Sequence, residues 1–254
     1  MKKYGYIFMT QFQTMLEYKF HLITSLFSNF LTIIISFYIW QSVYMSSGKG
    51  VIGGYTQAQM LKYIILVNFL SIVFSFDYVV RLGGLIRSGK LSTLLLRPIS
   101  LLGESFFNFL GTKILYIFFL LLSLCFLGST SFLLVFLYFL VVFVLFFLVL
   151  SAIGTIGFWL IQMWPLRPVL SGLYALLGGL FFPLNLLPQS IYQIVMYNPF
   201  ALIGYHTANI FQNHYSTEKV LFLTLISLIW ATLFYVLYVW GLKKGLKKYE
   251  GMGA

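Results

Sequence analysis

Charge is what this sequence has least of. Asp and Glu together number five, and charged residues of both signs make up 8% of the 254 positions, against about 25% in an ordinary soluble domain. Hydrophobic residues make up 61%. A water-soluble fold has no use for that much apolar surface, so the class is an all-α membrane protein. A single cysteine, Cys125, excludes an intramolecular disulfide and a cysteine-rich metal cluster. The N-terminal segment lacks the unbroken apolar core of a secretory signal peptide, because Gln11, Gln13, Glu17 and Lys19 interrupt it. No repeat, disordered tail or second soluble domain is visible, so residues 1–254 read as one membrane domain.

Residues for catalysis are equally scarce. Hydrolysis inside a membrane needs a nucleophile with a base, or a pair of carboxylates. Ser151 and Ser171 have no histidine or acid near them in sequence. The chain therefore does not read as an enzyme. The net charge of +11 raises nucleic acid as a partner. Its cations, however, sit in short loops between apolar runs, which suits an anionic membrane surface and no nucleic acid.

The apolar runs set the architecture. A crossing needs roughly 20 apolar residues, and six such runs are expected, at 22–44, 61–80, 105–128, 132–161, 168–187 and 220–241. Before the first, Tyr4, Phe8, Phe12, Met15 and Leu16 recur at helical spacing, the pattern of an amphipathic helix lying in the interface. The bland alternative is a frayed lead-in to the first span. Lys and Arg decide orientation. Twelve fall on the face that holds both termini (Lys2, Lys3, Lys19, Arg81, Arg87, Lys90, Arg97, Arg167, Lys243, Lys244, Lys247, Lys248), against Lys49, Lys62 and Lys219 on the other. Both termini are therefore expected in the cytosol of a plasma-membrane protein. The segment 188–219 is too apolar for a solvated loop, and Pro188 and Pro199 break it. Two short helices re-entering the outer leaflet fit it, with any non-helical backbone buried in protein.

One stretch imitates a nucleotide site. "GLIRSGKL", Gly84 to Leu91, matches a phosphate-binding loop except that Leu91 stands where a Ser or Thr should hold magnesium. A membrane helix precedes it instead of a buried strand, so the match is a decoy. What remains is "RLGGLIRSGKLSTLLLRPIS", rich in cations and leucines. Leu91, Leu94 and Leu95 share a helical face, Gly89 bends or ends a helix, and Pro98 stops one. Two readings fit: a loop made basic by orientation alone, or a short helix presented to a cytosolic partner with leucines as its anchors.

Here "IRSGKLSTLLLRPIS" resembles the first cytosolic loop of ABC-2-type export permeases, the membrane subunits of a class of ATP-binding-cassette transporter. Arg87, Gly89, Leu91, Leu94, Leu95, Arg97 and Pro98 carry the likeness. "FFPLNLLPQSIYQIVMYNPF" is similar to the family's segment after the fifth span, through Phe182, Pro183, Pro188, Asn198, Pro199 and Phe200. The resemblance implies a coupling helix at 86–98 and a pairing with a second permease of the same or another kind. It also implies two cytosolic ATPase subunits that hold ATP and Mg, with no cofactor on this chain. It further implies a path at the dimer interface. Phe158, Trp159, Tyr174, Phe181 and Phe182 are the candidates to line it, and Gly178 and Gly179 are the candidates for close helix packing between permeases. A path without fixed charge suits lipophilic or amphipathic cargo such as drugs, peptide antibiotics or lipids.

Asp77 is costly in a membrane and draws attention for that reason. An i,i+4 pair with Arg81 explains it without function. If it takes up a proton instead, the chain is a secondary transporter; a non-transporting scaffold is the third class. Lys113 either snorkels to the interface or meets Asp77 across helices. Glu104 lies nine residues from Lys113, too far for one helical pair. His206 and His214 lack a third ligand in sequence and read as ordinary loop residues, with no metal.

Overall fold

The computed structural model describes residues 2–127, 132–160 and 162–249. Helix α1 (Lys2–Glu17) breaks at Tyr18 and passes to α2 (Lys19–Ser47), which ends where Gly48 takes a left-handed conformation. A two-residue hairpin follows, β1 (Val51–Ile52) against β2 (Tyr55–Thr56), antiparallel with Val51 opposite Thr56. Its turn needs positive φ at both central positions, which Gly53 (58°) and Gly54 (83°) supply without strain. Thr56 and Gln59 then cap α3 (Gln57–Val73) reciprocally.

The second expected span is not one helix. α3 stops at Val73, a 3-10 turn runs over Phe76–Val80, and α4 (Arg81–Arg87) and α5 (Lys90–Leu95) continue it. α6 (Leu101–Leu127) and α7 (Phe132–Gly154) are the next long helices, the latter extended by a 3-10 turn at Thr155–Phe158. The ends expected for these spans at 128 and 161 lie outside the described residues. α8 (Leu166–Leu177) comes next, then α9 (Gln189–Val195). α10 (Pro199–Ala201) runs through a π-helical turn, Leu202–His206, into α11 (Thr207–Phe211), and α12 (Thr217–Lys248) closes the fold.

Five of these helical stretches are long and apolar enough to cross a membrane: Ile23–Ser47, Gln57–Arg87, Leu101–Leu122, Phe132–Phe158 and Thr217–Lys248. The run expected as a fifth crossing at 168–187 differs. Its helix, α8, has 12 residues, about 18 Å at 1.5 Å per residue, short of a bilayer core of about 30 Å. Gly179 explains the stop, because its φ of 74° cannot continue a right-handed helix. The chain nevertheless travels between the two ends of the bundle here. Phe158 stacks edge-on to Tyr249 near the C-terminus, and further along Asn185 donates to the Gly53 carbonyl in the hairpin at the opposite end.

Aromatic rings fill the core. Phe74, Phe109, Phe139 and Phe146 are fully buried where α3, α6 and α7 meet, with centroids 5.2 Å apart for Phe74–Phe146 and 6.0 Å for Phe74–Phe139. Glycines let the backbones approach elsewhere. A Cβ on Gly157 would stand 2.8 Å from the Gly83 Cα, and Gly241 and Gly245 seat α12 against Thr155 and Phe158. The most enclosed stretch is 201–211, buried at every position. Its π turn leaves the Leu202 carbonyl to accept from Tyr138 (2.8 Å) and Thr207 (2.9 Å), so that buried oxygen is satisfied by side chains. At its start the Asn198 side chain accepts from the Phe200 and Ala201 N–H groups, with Pro199 at the first helical position. α2 is the opposite case. Ile23, Phe27, Phe30, Ile35 and Tyr38 are all exposed along it.

Candidate functional site

Three places gather polar or charged groups. The first is the end that carries both termini. Gly89, at φ 70°, turns the chain sharply between α4 and α5. Leu91 points inward and is fully buried, Leu94 is half-buried, and Leu95 and Leu96 are 44% and 86% exposed. Arg87, Lys90, Arg97 and Pro98 lie exposed around them. The apolar face presented outward is therefore Leu95–Leu96, one step along from the face expected from spacing, because Leu91 belongs to the chain's own packing. Residues 84–91 form the end of one helix and the start of another, with no strand before them to build a phosphate loop.

Both termini are tied to this segment. The Ser92 and Tyr249 hydroxyls share a hydrogen bond of 2.9 Å. At its far end the Tyr4 hydroxyl meets Ser100 Oγ at 3.2 Å and accepts from the Ser100 N–H at 3.2 Å. These bonds hold the Tyr4 phenol below its ordinary pKa of 10. α1 lies on α6 through two small residues. A Cβ on Gly103 would meet the Tyr4 ring at 2.9 Å, and one on Gly111 would meet the Phe8 carbonyl at 2.8 Å.

The second place is a cleft of about 710 Å³ walled by α1, α2, α3 and α6. Asp77 at its mouth pairs with Arg167, which enters from the start of α8. The i,i+4 pair with Arg81 is replaced by this long-range one, because the 3-10 turn at Phe76–Val80 removes the α-helical register. Arg81 turns instead to Glu104, at 2.6 Å, and donates to Ser105 Oγ at 3.2 Å. Lys113 does not snorkel outward, and it meets Asp77 across helices only through Ser75, whose hydroxyl donates to Asp77 Oδ2 at 2.8 Å. Its ammonium donates to the Ile72 carbonyl (2.8 Å) and to Ser75 Oγ (2.7 Å), both made available by the end of α3.

The third place is the opposite end. Tyr55 hydroxyl donates to Asn209 Oδ1 at 2.5 Å, and His214 Nδ1 lies 3.2 Å from the same oxygen. His206 is fully enclosed between the Tyr215 hydroxyl (3.0 Å) and the Met196 carbonyl (2.7 Å), and burial pushes its pKa down to about 4. Among the described residues no three His, Cys, Asp or Glu side chains gather as a metal site.

The family described as ABC-2 family transporter protein matches residues 30–253, from within α2 to the C-terminus. The chain belongs to the ABC-2 transporter family. No curated protein sequence matches it significantly. In an ABC-2 protein with these five membrane-length helices, the chain is a multi-pass membrane protein and its short basic segment at 86–98 follows the second of them.

The ABC-2 residues expected along a path are dispersed. Phe181 and Trp159 are 63% and 44% exposed, and Phe158 and Phe182 are half-buried. Tyr174 is sealed in the core between Phe76, Phe146 and Phe200, its hydroxyl without a partner among the described residues. Gly178 and Gly179 are buried within this chain. A Cβ on Gly179 would meet the Tyr63 hydroxyl at 2.9 Å, and Gly204 packs on the Gly178 carbonyl. Their close approach joins α8 to α3 and the 202–206 turn of the same ABC-2 chain.

The cleft was missed in the sequence, although a signal is there. Ser25, Ser28, Asn29 and Thr32 on α2, and Asn68 and Ser71 on α3 with Ser75 just after it, recur at three and four. In a span that spacing draws a polar stripe on one face.

Proposed function

We propose that this ABC-2 protein is the membrane subunit of an ATP-driven exporter, crossing the plasma membrane six times with both termini in the cytosol. In this reading α8 with residues 178–187 makes the fifth crossing, and α9 and α10–α11 dip back into the outer leaflet. α5 is the coupling helix. ATP closes a dimer of soluble ATPase subunits, α5 moves with them, and the permease pair rocks from inward- to outward-open. A second permease covers the exposed apolar stretch of α2 beyond Leu31, and Trp159, Phe181 and Phe182 are the residues proposed to face a cargo path between copies. Cargo is proposed to be lipophilic or amphipathic.

The observation that carries the reading is the exposed Leu95–Leu96 pair, ringed by Arg87, Lys90 and Arg97, on a segment bonded to both termini. An apolar pair of that kind has no function at a bare aqueous face, whereas a groove on a soluble partner would bury it. The test is affinity purification of the tagged chain from its native membranes. A co-purifying P-loop ATPase, lost from a Leu95→Asp/Leu96→Asp variant that still inserts, supports the assignment. ATP hydrolysis by the isolated chain refutes it.

A further inference from the structure

We propose that the cleft between α1, α2, α3 and α6 binds the head group of an anionic phospholipid, with Lys113 as its counter-charge. The cleft's volume of about 710 Å³ falls within the range of small-ligand pockets, roughly 300–1,000 Å³. Its charged lining residues are Asp77, Arg81, Lys113 and Arg167. Arg167 pairs with Asp77 and Glu104 neutralises Arg81. That leaves the group with one net positive charge, since Asp77 is shared between Arg167 and Lys113, whose ammonium is 8% exposed on α6, bonds to Ile72 and Ser75, reaches Asp77 through Ser75 and lies 5.8 Å from the Tyr116 ring centroid. An ammonium carries three donors, and those contacts use two. An ionisable group at that depth is held at a cost and is ordinarily met by a partner. Among the described residues Asp77 is the one acidic side chain lining the cleft, and Arg167 and the Ser75–Lys113 chain share it, so balancing the second cation takes an anion that enters from outside the chain.

The surroundings say which anion. α1 runs alongside α6 from Gly103 to Gly111, and its Gln11 and Thr14, with Tyr18 just beyond it, form one wall, so the cleft lies on the half of the bundle nearer the termini. Ser28, Asn29 and Thr32 on α2 supply neutral donors and acceptors on the facing wall. Outside them, Phe27, Phe30 and Leu31 are exposed and can take acyl chains. One buried cation, a neutral polar wall and an apolar flank suit a phosphodiester bearing a single charge on a lipid. A choline-bearing head group would bring its own cation beside Arg81, Arg167 and Lys113. The site stands independently of the export reading.

The experiment is native mass spectrometry of the purified chain in detergent with equal amounts of phosphatidylglycerol and phosphatidylcholine of the same acyl chains. Wild type should retain phosphatidylglycerol about tenfold over phosphatidylcholine. Lys113→Gln, which keeps two donors and removes the charge, should bring the ratio near one. Thr32→Trp fills the cleft from an exposed position and leaves Lys113 in place, so it should lose the retained phosphatidylglycerol without a folding defect. Lys62→Gln, an exposed cation on α3, should behave as wild type. An unchanged ratio in both Lys113→Gln and Thr32→Trp overturns the proposal. So does displacement of the lipid by millimolar inorganic phosphate, which would make this a site for a free anion.

Discussion

Replacing Leu96 by alanine separates docking from folding. Leu96 is 86% exposed on the isolated chain, whereas Leu91, one turn away, is fully buried. Fully burying a leucine side chain is worth about 1.5–3 kcal/mol. Since nearly all of Leu96 is open, losing it from a partner's groove should weaken association by about 1–3 kcal/mol, or about five- to 150-fold in Kd. The fold should not notice, because Leu96 packs on little of its own chain. Leu91→Ala should do the reverse, costing about 2–5 kcal/mol of stability by opening a cavity. The assay is retention of the co-purified ATPase at graded concentrations, alongside thermal unfolding in detergent. Leu96→Ala with unchanged retention and lowered melting temperature would refute the reasoning, since the residue would then be structural.

Gly89→Trp should uncouple transport, because φ 70° strains any side chain there, whereas Arg87→Ala, at an exposed rim, should reduce ATPase retention only mildly. Arg81→Met leaves Glu104 buried without a counter-charge and should cost about 3–5 kcal/mol in detergent unfolding, most of it recovered by adding Glu104→Gln. His206 is held near pKa 4 by burial, below its ordinary 6.5. Unfolding therefore takes up a proton below pH 6.5, and the stability from its neutral form, on the order of 3 kcal/mol, is complete above that pH and lost as pH falls toward 4. Thermal melting should drop between pH 7 and pH 4.5 in wild type and less in His206→Gln. Gly157→Leu should lower stability by about 1–3 kcal/mol through overpacking on α4, since Gly83 backbone lies 2.8 Å from a Cβ at that position.

The long helices were legible because apolar length is a local property. α2 and α12 cover the runs expected at 22–44 and 220–241 and extend them by several residues, and α7 with its 3-10 turn spans 132–158 of the run expected at 132–161. Residue composition cannot show where an apolar run stops being helical. The run at 168–187 is apolar throughout, yet Gly179 ends α8 by adopting a backbone state that only local geometry shows. Side-chain partners were less legible still. Asp77 and Arg81 have ideal helical spacing, but a 3-10 turn separates them and sends each to a residue far along the chain, Arg167 and Glu104. Leu91 and Leu95 likewise share a helical face by count, and α5 is so short that tertiary packing decides which is covered. The cleft depends on stripes from two spans meeting, and Asn29 donating to the Asn68 carbonyl at 2.9 Å is the contact that joins them.

In the proposed exporter this chain conducts cargo only as the partner of a separate ATPase. The direct measurement is efflux of an amphipathic fluorophore from proteoliposomes holding the chain alone, the co-purified ATPase alone, or both, with ATP or with a pH gradient. ATP-dependent efflux is expected only from vesicles holding both, and Leu95→Asp/Leu96→Asp should abolish it. Efflux from the chain alone under a pH gradient without ATP would contradict the proposal.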